Sequence, residues 1–252
     1  MSEAIPVLLY HSVPYAPTGE ALAVTQASFQ SHLDAIHRSG RAAVTVSQLA
    51  AGLRGLRPLP ERAVAITFDD GHADNMQALE TLGARGLSAT LYVTTSTIGA
   101  HGMLTAAQLA ELAERPHVEL GAHSVSHPRL DELRETELEY EIRASKEALE
   151  QILRAAVTSF AYPYGAHSRS VKTAVAAAGF RSAVAVKNAI SHDADDPMAI
   201  ARWTVGASAS AAQLERILEG RGAPSAWRGE RVRTRTYRAA RRLRRRLAGA
   251  RG

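Results

Sequence analysis

A distorted α/β barrel of parallel strands, with helices packed outside, is the fold class that this sequence predicts. Three observations carry the prediction. Short β-rich apolar runs alternate with helical patterns along most of the chain. Glycine stops the helical segments at Gly40, Gly86, Gly179 and Gly220. The alternating units are also numerous enough to favour a closed barrel over an open sheet.

In chain order, Ile5–Tyr10 reads as an apolar strand and Gln26–Ser39 as a helix ending at Gly40. Strands Ala42–Val46 and Ala63–Phe68 precede helix Asn75–Arg85, which Gly86 ends. Strand Ala89–Thr94, helix Thr105–Glu114 and strand His117–Gly121 follow. Helix Glu135–Arg154 has the clearest pattern, with Leu138, Ile142, Leu149 and Leu153 forming an apolar stripe among charges. Strand Thr158–Ala161, helix Arg169–Ala178, strands Ser182–Val186 and Met198–Ala201, and helix Ala211–Glu219 complete the order. No internal repeat is present.

Composition fits a folded enzyme-sized unit, because 46% hydrophobic and 22% charged residues can bury a sizeable core. There is no cysteine, so disulfides are excluded and any metal must be held by His, Asp or Glu. The segment before His11 carries no Lys or Arg and is too short for a signal peptide, so a cytoplasmic location is expected. Charge is divided unevenly: residues 225–252 hold 11 Arg and one Glu, or +10, leaving −5 on the other 224 residues. The expected division is therefore a 1–224 body and a 225–252 Arg-rich tail. On a helix, Tyr237, Ala240, Leu243 and Leu247 would share a face, and such a tail can contact an anionic membrane surface or an acidic partner. A disordered basic extension is the plainer alternative. No nucleic-acid-binding signature accompanies the tail, so nucleic acid is not an expected partner.

Chemistry in such a barrel stands at the C-terminal ends of strands. Asp69, Asp70 and Gly71 follow Ala63–Phe68, while His123, His127 and Pro128 follow His117–Gly121. His11, Tyr164 and Arg202 stand just beyond three further strands. His123 and His127, four residues apart, can reach one ion from a helical turn or a tight loop, although such pairs also cap and pack. Asp-Asp-Gly equally makes a good turn. Adjacent carboxylates at a strand end nevertheless point different ways, so one can ligate while the other faces substrate. Two His and one carboxylate leave coordination positions open, the pattern of a catalytic metal site.

Three segments carry a resemblance: Thr67-Phe68-Asp69-Asp70-Gly71, His123-Ser124-x-Ser126-His127-Pro128 and Tyr162-Pro163-Tyr164-Gly165. In order and spacing they resemble the first three motifs of the polysaccharide deacetylases, the NodB-homology group of carbohydrate esterase family 4. The likeness runs from about Ala63 to about Val205. It implies a NodB-like barrel and a metal-dependent N-deacetylase acting on an N-acetylated carbohydrate. It further implies Asp70, His123 and His127 as metal ligands, usually of zinc, Asp69 as general base, and the Tyr164 backbone N–H as an oxyanion donor. Losing one donor of that kind typically costs about 3 kcal/mol of barrier.

Two features depart from the common family pattern. A Leu-His motif near the C-terminus usually supplies the general acid, but no His follows His192. Leu8-Leu9-Tyr10-His11-Ser12 resembles instead the N-terminal motif of the poly-N-acetylglucosamine branch, which makes His11 the candidate acid. Barrel closure makes first and last strands neighbours, so the exchange is geometrically cheap. The Arg that usually leads the third motif is replaced by Ala161, and Arg202 is the candidate substitute for orienting the base. Two other readings are a related amidase acting on a small acyl or cyclic amide and a non-catalytic carbohydrate-binding relative. Retention of the base and all three ligand residues weighs against both.

Overall fold

Alternation along the strands builds two apolar layers, one inside the barrel and one between barrel and helices. The structure, a computed structural model, describes residues 4–227 and Arg241. In β4 (Ala63–Phe68), Ala63 and Ala65 join the inner layer, while Val64, Ile66 and Phe68 pack outward beneath helices. Small inward residues leave room for large side chains from other strands to cross the lumen.

The parallel barrel has seven strands in the order β2 (Val7–Tyr10), β10 (Ile200–Thr204), β8 (Ser182–Val186), β7 (Ser159–Ala161), β6 (Val118–Ala122), β5 (Ala89–Val93) and β4. It closes where β2 pairs with β4, from Val7 opposite Ala65 to Tyr10 opposite Phe68. An eighth strand, β3 (Ala42–Val44), pairs with the first half of β4. Helices α1 (Gln26–Arg38), α3 (Asn75–Ala84), α4 (Ala106–Ala113), α5 (Glu135–Leu153), α6 (Arg169–Ala177) and α7 (Ala211–Leu218) match the expected segments to within a residue or two at their ends.

Three features differ from the sequence expectation. The first predicted strand is split at Pro6: β1 (Ala4–Ile5) pairs antiparallel with β9 (Ser191–His192), and only β2 enters the barrel. Proline has no N–H to give a ladder, which suits it to that break. Helix α2 (Val46–Leu53) was not expected, although Thr45 and Gln48 form a reciprocal capping box at its start. It plugs the N-terminal end of the barrel, with Val46, Leu49 and Ala50 in the inner layer and Ser47 hydrogen-bonded to Glu119. The strand predicted at Met198–Ala201 begins two residues later, because Met198 and Ala199 donate N–H groups to Asp196 in a turn. Arg202 is therefore in the middle of β10 rather than at its end.

At the C-terminal side of the body, contacts continue past Pro224. Ser225 bridges Ile190, and the Ala226 N–H donates to the Ile190 carbonyl at 2.8 Å, so residues 225 and 226 pack on the body. The amphipathic face expected of the tail falls on Tyr237, Ala240, Leu243 and Leu247, which lie outside the described residues. Arg241 ion-pairs with Glu132. Among the described residues no helix is long and apolar enough to cross a membrane.

Candidate metal centre

Asp69 and Asp70 occupy the turn that leaves β4. Asp70 has φ of 75° and Gly71 follows at 85°, so the chain reverses sharply and the two carboxylates diverge. Asp69 continues the inward parity of β4 and is only 2% exposed. Asp70 stays half-buried at the mouth.

His123 immediately follows β6 with its side chain buried, and its Nδ1–H donates to the Ala161 carbonyl at 2.8 Å. A carbonyl can only accept, so this bond places the proton on Nδ1 and leaves the Nε2 lone pair facing the mouth. Burial pushes the His123 pKa down while Asp69 and Asp70 oppose that shift. The net lowering keeps the ring neutral, as a metal ligand must be. His127 lies on the following loop, its ring centroid 4.8 Å from that of His123.

Asp70, His123 and His127 each present one donor atom to a common point, all within 4.8 Å of one another. The Nε2 atoms of His123 and His127 both stand 3.7 Å from Asp70 Oδ1. Ligands at zinc distances in a tetrahedral site are separated by about 3.4 Å, so the donor set fits such an ion with little adjustment. Burial opposes ionisation of Asp70, but the nearby imidazoles of His72, His123, His11 and His127 overcome it, and its pKa is lowered.

Asp69 is held differently. Arg202, fully buried, donates from Nη1 to Oδ1 at 2.6 Å and from Nη2 to Oδ2 at 2.7 Å, with Nη1 also 3.2 Å from Thr67 Oγ1. This fork-to-fork pair is the strong form of a carboxylate contact. Burial favours the protonated acid, yet Arg202 and His123 outweigh it and the pKa lies below the usual carboxylate range. Asp69 Oδ2 is 3.6 Å from His123 Nε2, which puts its free lone pairs beside the three-donor cluster. The expected neighbourhood of Arg202 and Asp69 is thus present, reached from mid-strand across the lumen.

His11 follows β2 at the same end of the barrel. Burial lowers its pKa, and the fields of Asp69 and Asp70 act against that shift. Its Nδ1 is buried without a hydrogen-bond partner. Its backbone is secured by Asn75, whose Nδ2 donates to the His11 carbonyl at 2.7 Å.

Tyr164 lies in the turn Pro163–Gly165 after β7, at φ 57°. Gly165 beside it must be glycine, since a Cβ there would stand 2.7 Å from the Val186 nitrogen. The Tyr164 ring packs on His127 at 4.5 Å and carries the Arg129 guanidinium at 4.8 Å.

Sequence reasoning left out three contributors. His72, on the loop after the Asp pair, has its Nε2 3.7 Å from Asp70 Oδ2. Asn75, the first residue of the expected helix Asn75–Arg85, holds the His11 carbonyl. Glu141, on α5, accepts three hydrogen bonds from the loop between the two histidines. The position of Asn75 five residues past Asp70 hints at the second, whereas no local signal marks Glu141.

A family model described as polysaccharide deacetylase matches residues 57–183. Among curated proteins, the chain is 28% identical over 181 residues to YxkH of Bacillus subtilis (strain 168), which is named for the same family. That alignment covers 71% of this chain and 63% of YxkH, so the chain spans less than two thirds of that relative's length. Among solved structures, the Streptococcus pyogenes deacetylase PplD in complex with acetate superposes with a TM-score of 0.79 at 22% identity, covering 86% of this chain and 99% of that one. IcaB from Ammonifex degensii superposes at 0.73 and 21% identity, covering 86% and 97%. Likeness at these identities shows the shared fold.

Proposed function

Because the chain belongs to the polysaccharide deacetylase family, we propose that it is a divalent-metal-dependent hydrolase that removes the N-acetyl group from an amino sugar. The observation that carries this reading is the convergence of Asp70, His123 and His127 on one point, with Asp69 locked beside it by Arg202. Zinc is the proposed cation, since two imidazoles and a carboxylate are ligands it accepts in open sites that keep positions for water and substrate.

A zinc ion held there would lower the pKa of water towards ~7 and polarise the acetyl carbonyl. Asp69, kept ionised by Arg202, accepts the proton of the attacking water. Because Arg202 grips both carboxylate oxygens, the base cannot swing away between turnovers. The backbone N–H of Tyr164 is the proposed donor to the tetrahedral oxyanion. His11 is the proposed acid, delivering a proton to the departing sugar amine.

The substrate is an N-acetylated polysaccharide, oligosaccharide or sugar-containing metabolite. Acetate release across a panel of N-acetylated sugars, with zinc supplied and with zinc removed by chelation, tests the whole reading. Release that needs the ion is the expected result, with about one zinc per chain by elemental analysis. Asp70→Ala, His123→Ala and His127→Ala should each lose tight binding, and stoichiometric zinc in all three would sink the assignment.

A further inference from the structure

The loop that carries His127 stands on costly backbone. Ser124 and His127 have φ of 66° and 57°, in a region that residues with side chains rarely adopt. Such a conformation persists only where surrounding contacts over-determine it. Within the loop, Ser124 Oγ accepts the His127 N–H at 3.0 Å. On one flank, the Thr95 and Ser96 N–H groups donate to the Ser124 and Val125 carbonyls at 3.2 and 2.9 Å.

The other flank depends on one side chain. Glu141, in the second turn of α5, is 8% exposed. Its Oε2 accepts the N–H groups of Val125 at 2.8 Å and Ser126 at 2.9 Å, and its Oε1 accepts the Ser126 hydroxyl at 2.5 Å. Two consecutive backbone donors and a hydroxyl therefore converge on one buried carboxylate, the strong class of hydrogen bond. Val125 and Ser126 are the residues between Ser124 and His127. Holding their peptides in place leaves the flanking φ angles little freedom.

We propose that Glu141 is a positioning residue for the metal centre. By clamping Val125 and Ser126 it holds the left-handed turn at His127 and aims that imidazole at the point shared with His123 and Asp70. The inference rests on the metal-ligand reading above and goes beyond it, because Glu141 touches neither the ion's position nor substrate.

Zinc affinity, measured by competition with a chromophoric chelator, tests the proposal without any assay of turnover. Glu141→Ala should weaken zinc binding by about 10–100-fold, the usual scale for a supporting contact of a ligand. Glu141→Gln keeps the reach and an oxygen acceptor for the two N–H groups, whereas Glu141→Asp keeps the charge and loses the reach. A positioning role predicts that Gln binds zinc more tightly than Asp, and Asp tighter than Gln would overturn it in favour of simple charge. The effect should also vanish when the arm it acts through is gone, so His127→Ala/Glu141→Ala should bind no more weakly than His127→Ala alone. An equal fold-loss in both backgrounds would make Glu141 a residue of general stability. Wild-type affinity in Glu141→Ala would remove the role altogether. A wild-type chain that binds no zinc would sink the metal-centre reading itself, a result distinguishable from each of these.

Discussion

At Asp69, burial and a guanidinium compete for one carboxylate, and the guanidinium prevails. The consequence is a carboxylate whose ionised form is favoured, as the proposed base requires, and which is also part of the core's electrostatic balance. Asp69→Asn should retain zinc and lose roughly 10²–10⁴-fold in kcat, because an amide cannot take the proton of water. It should also destabilise the fold by about 3 kcal/mol, since Arg202 is left buried with a neutral partner. Acetate release and thermal unfolding report the two effects separately, and near wild-type turnover would reduce Asp69 to a turn residue. His11 makes a different demand. Its protonated form is lost as pH rises through a pKa that burial has lowered, so the alkaline limb of the rate should begin below the ordinary histidine range. His11→Ala should lack that limb and lose roughly 10²–10⁴-fold in kcat on the amide. An acetyl ester of the same sugar has a better leaving group and should suffer much less. Equal losses on ester and amide would assign His11 to binding or structure.

At the scale of elements, β6 shows how a strand makes room for the site. Gly121 faces the lumen, where a Cβ would stand 2.5 Å from the Tyr92 ring and 2.9 Å from the Ser159 carbonyl. Tyr92 in turn carries the Arg202 guanidinium 5.6 Å from its ring centroid and hydrogen-bonds Ser159 at 2.7 Å. Gly121→Ala should therefore cost about 1–3 kcal/mol as an overpacked core position. Part of that strain should reach the Asp69–Arg202 pair and lower kcat while zinc stays bound; unchanged stability in a thermal melt would show that Tyr92 can yield. The same element illustrates what local sequence can reveal. The end of β6 and the histidines beyond it are visible from apolar patterning and spacing. The positive φ angles at Ser124 and His127 are not, because they are imposed by Thr95, Ser96 and Glu141 from other elements. Helix α2 was legible in principle through its Thr45–Gln48 capping box, but the apolar run from Ala42 to Val46 was read as one longer strand.

At the scale of the molecule, closure decides which residues meet. Strand β2 lies between β10 and β4, so His11, Arg202 and Asp69 converge from three parts of the chain. Arg202 and Asp69 are 133 positions apart in sequence and bonded in the fold. Closure also reaches the C-terminal side of the body, where Ala226 bonds Ile190 and its carbonyl meets His192 Nε2 at 3.1 Å. A chain ending at Trp227 should keep zinc affinity and acetate release. One ending at Pro224 should lose about 1–2 kcal/mol with those hydrogen bonds, and melt roughly 2–4 °C lower. Identical melting of the two truncations would show that residues 225–227 add nothing to the body.

Sequence alone determined the strand–helix alternation, the strand ends that bear Asp69, Asp70, His123 and His127, and the replacement of the motif arginine by Ala161. These are properties of short segments, written in periodicity, glycine stops and spacing. Tertiary structure decided the rest: the split at Pro6, the mid-strand place of Arg202, the plug made by α2 and the clamp from Glu141. The reason is physical. Local pattern specifies which way a side chain faces along its own element, whereas the distance between two elements depends on barrel closure and on the size of every side chain packed inside it.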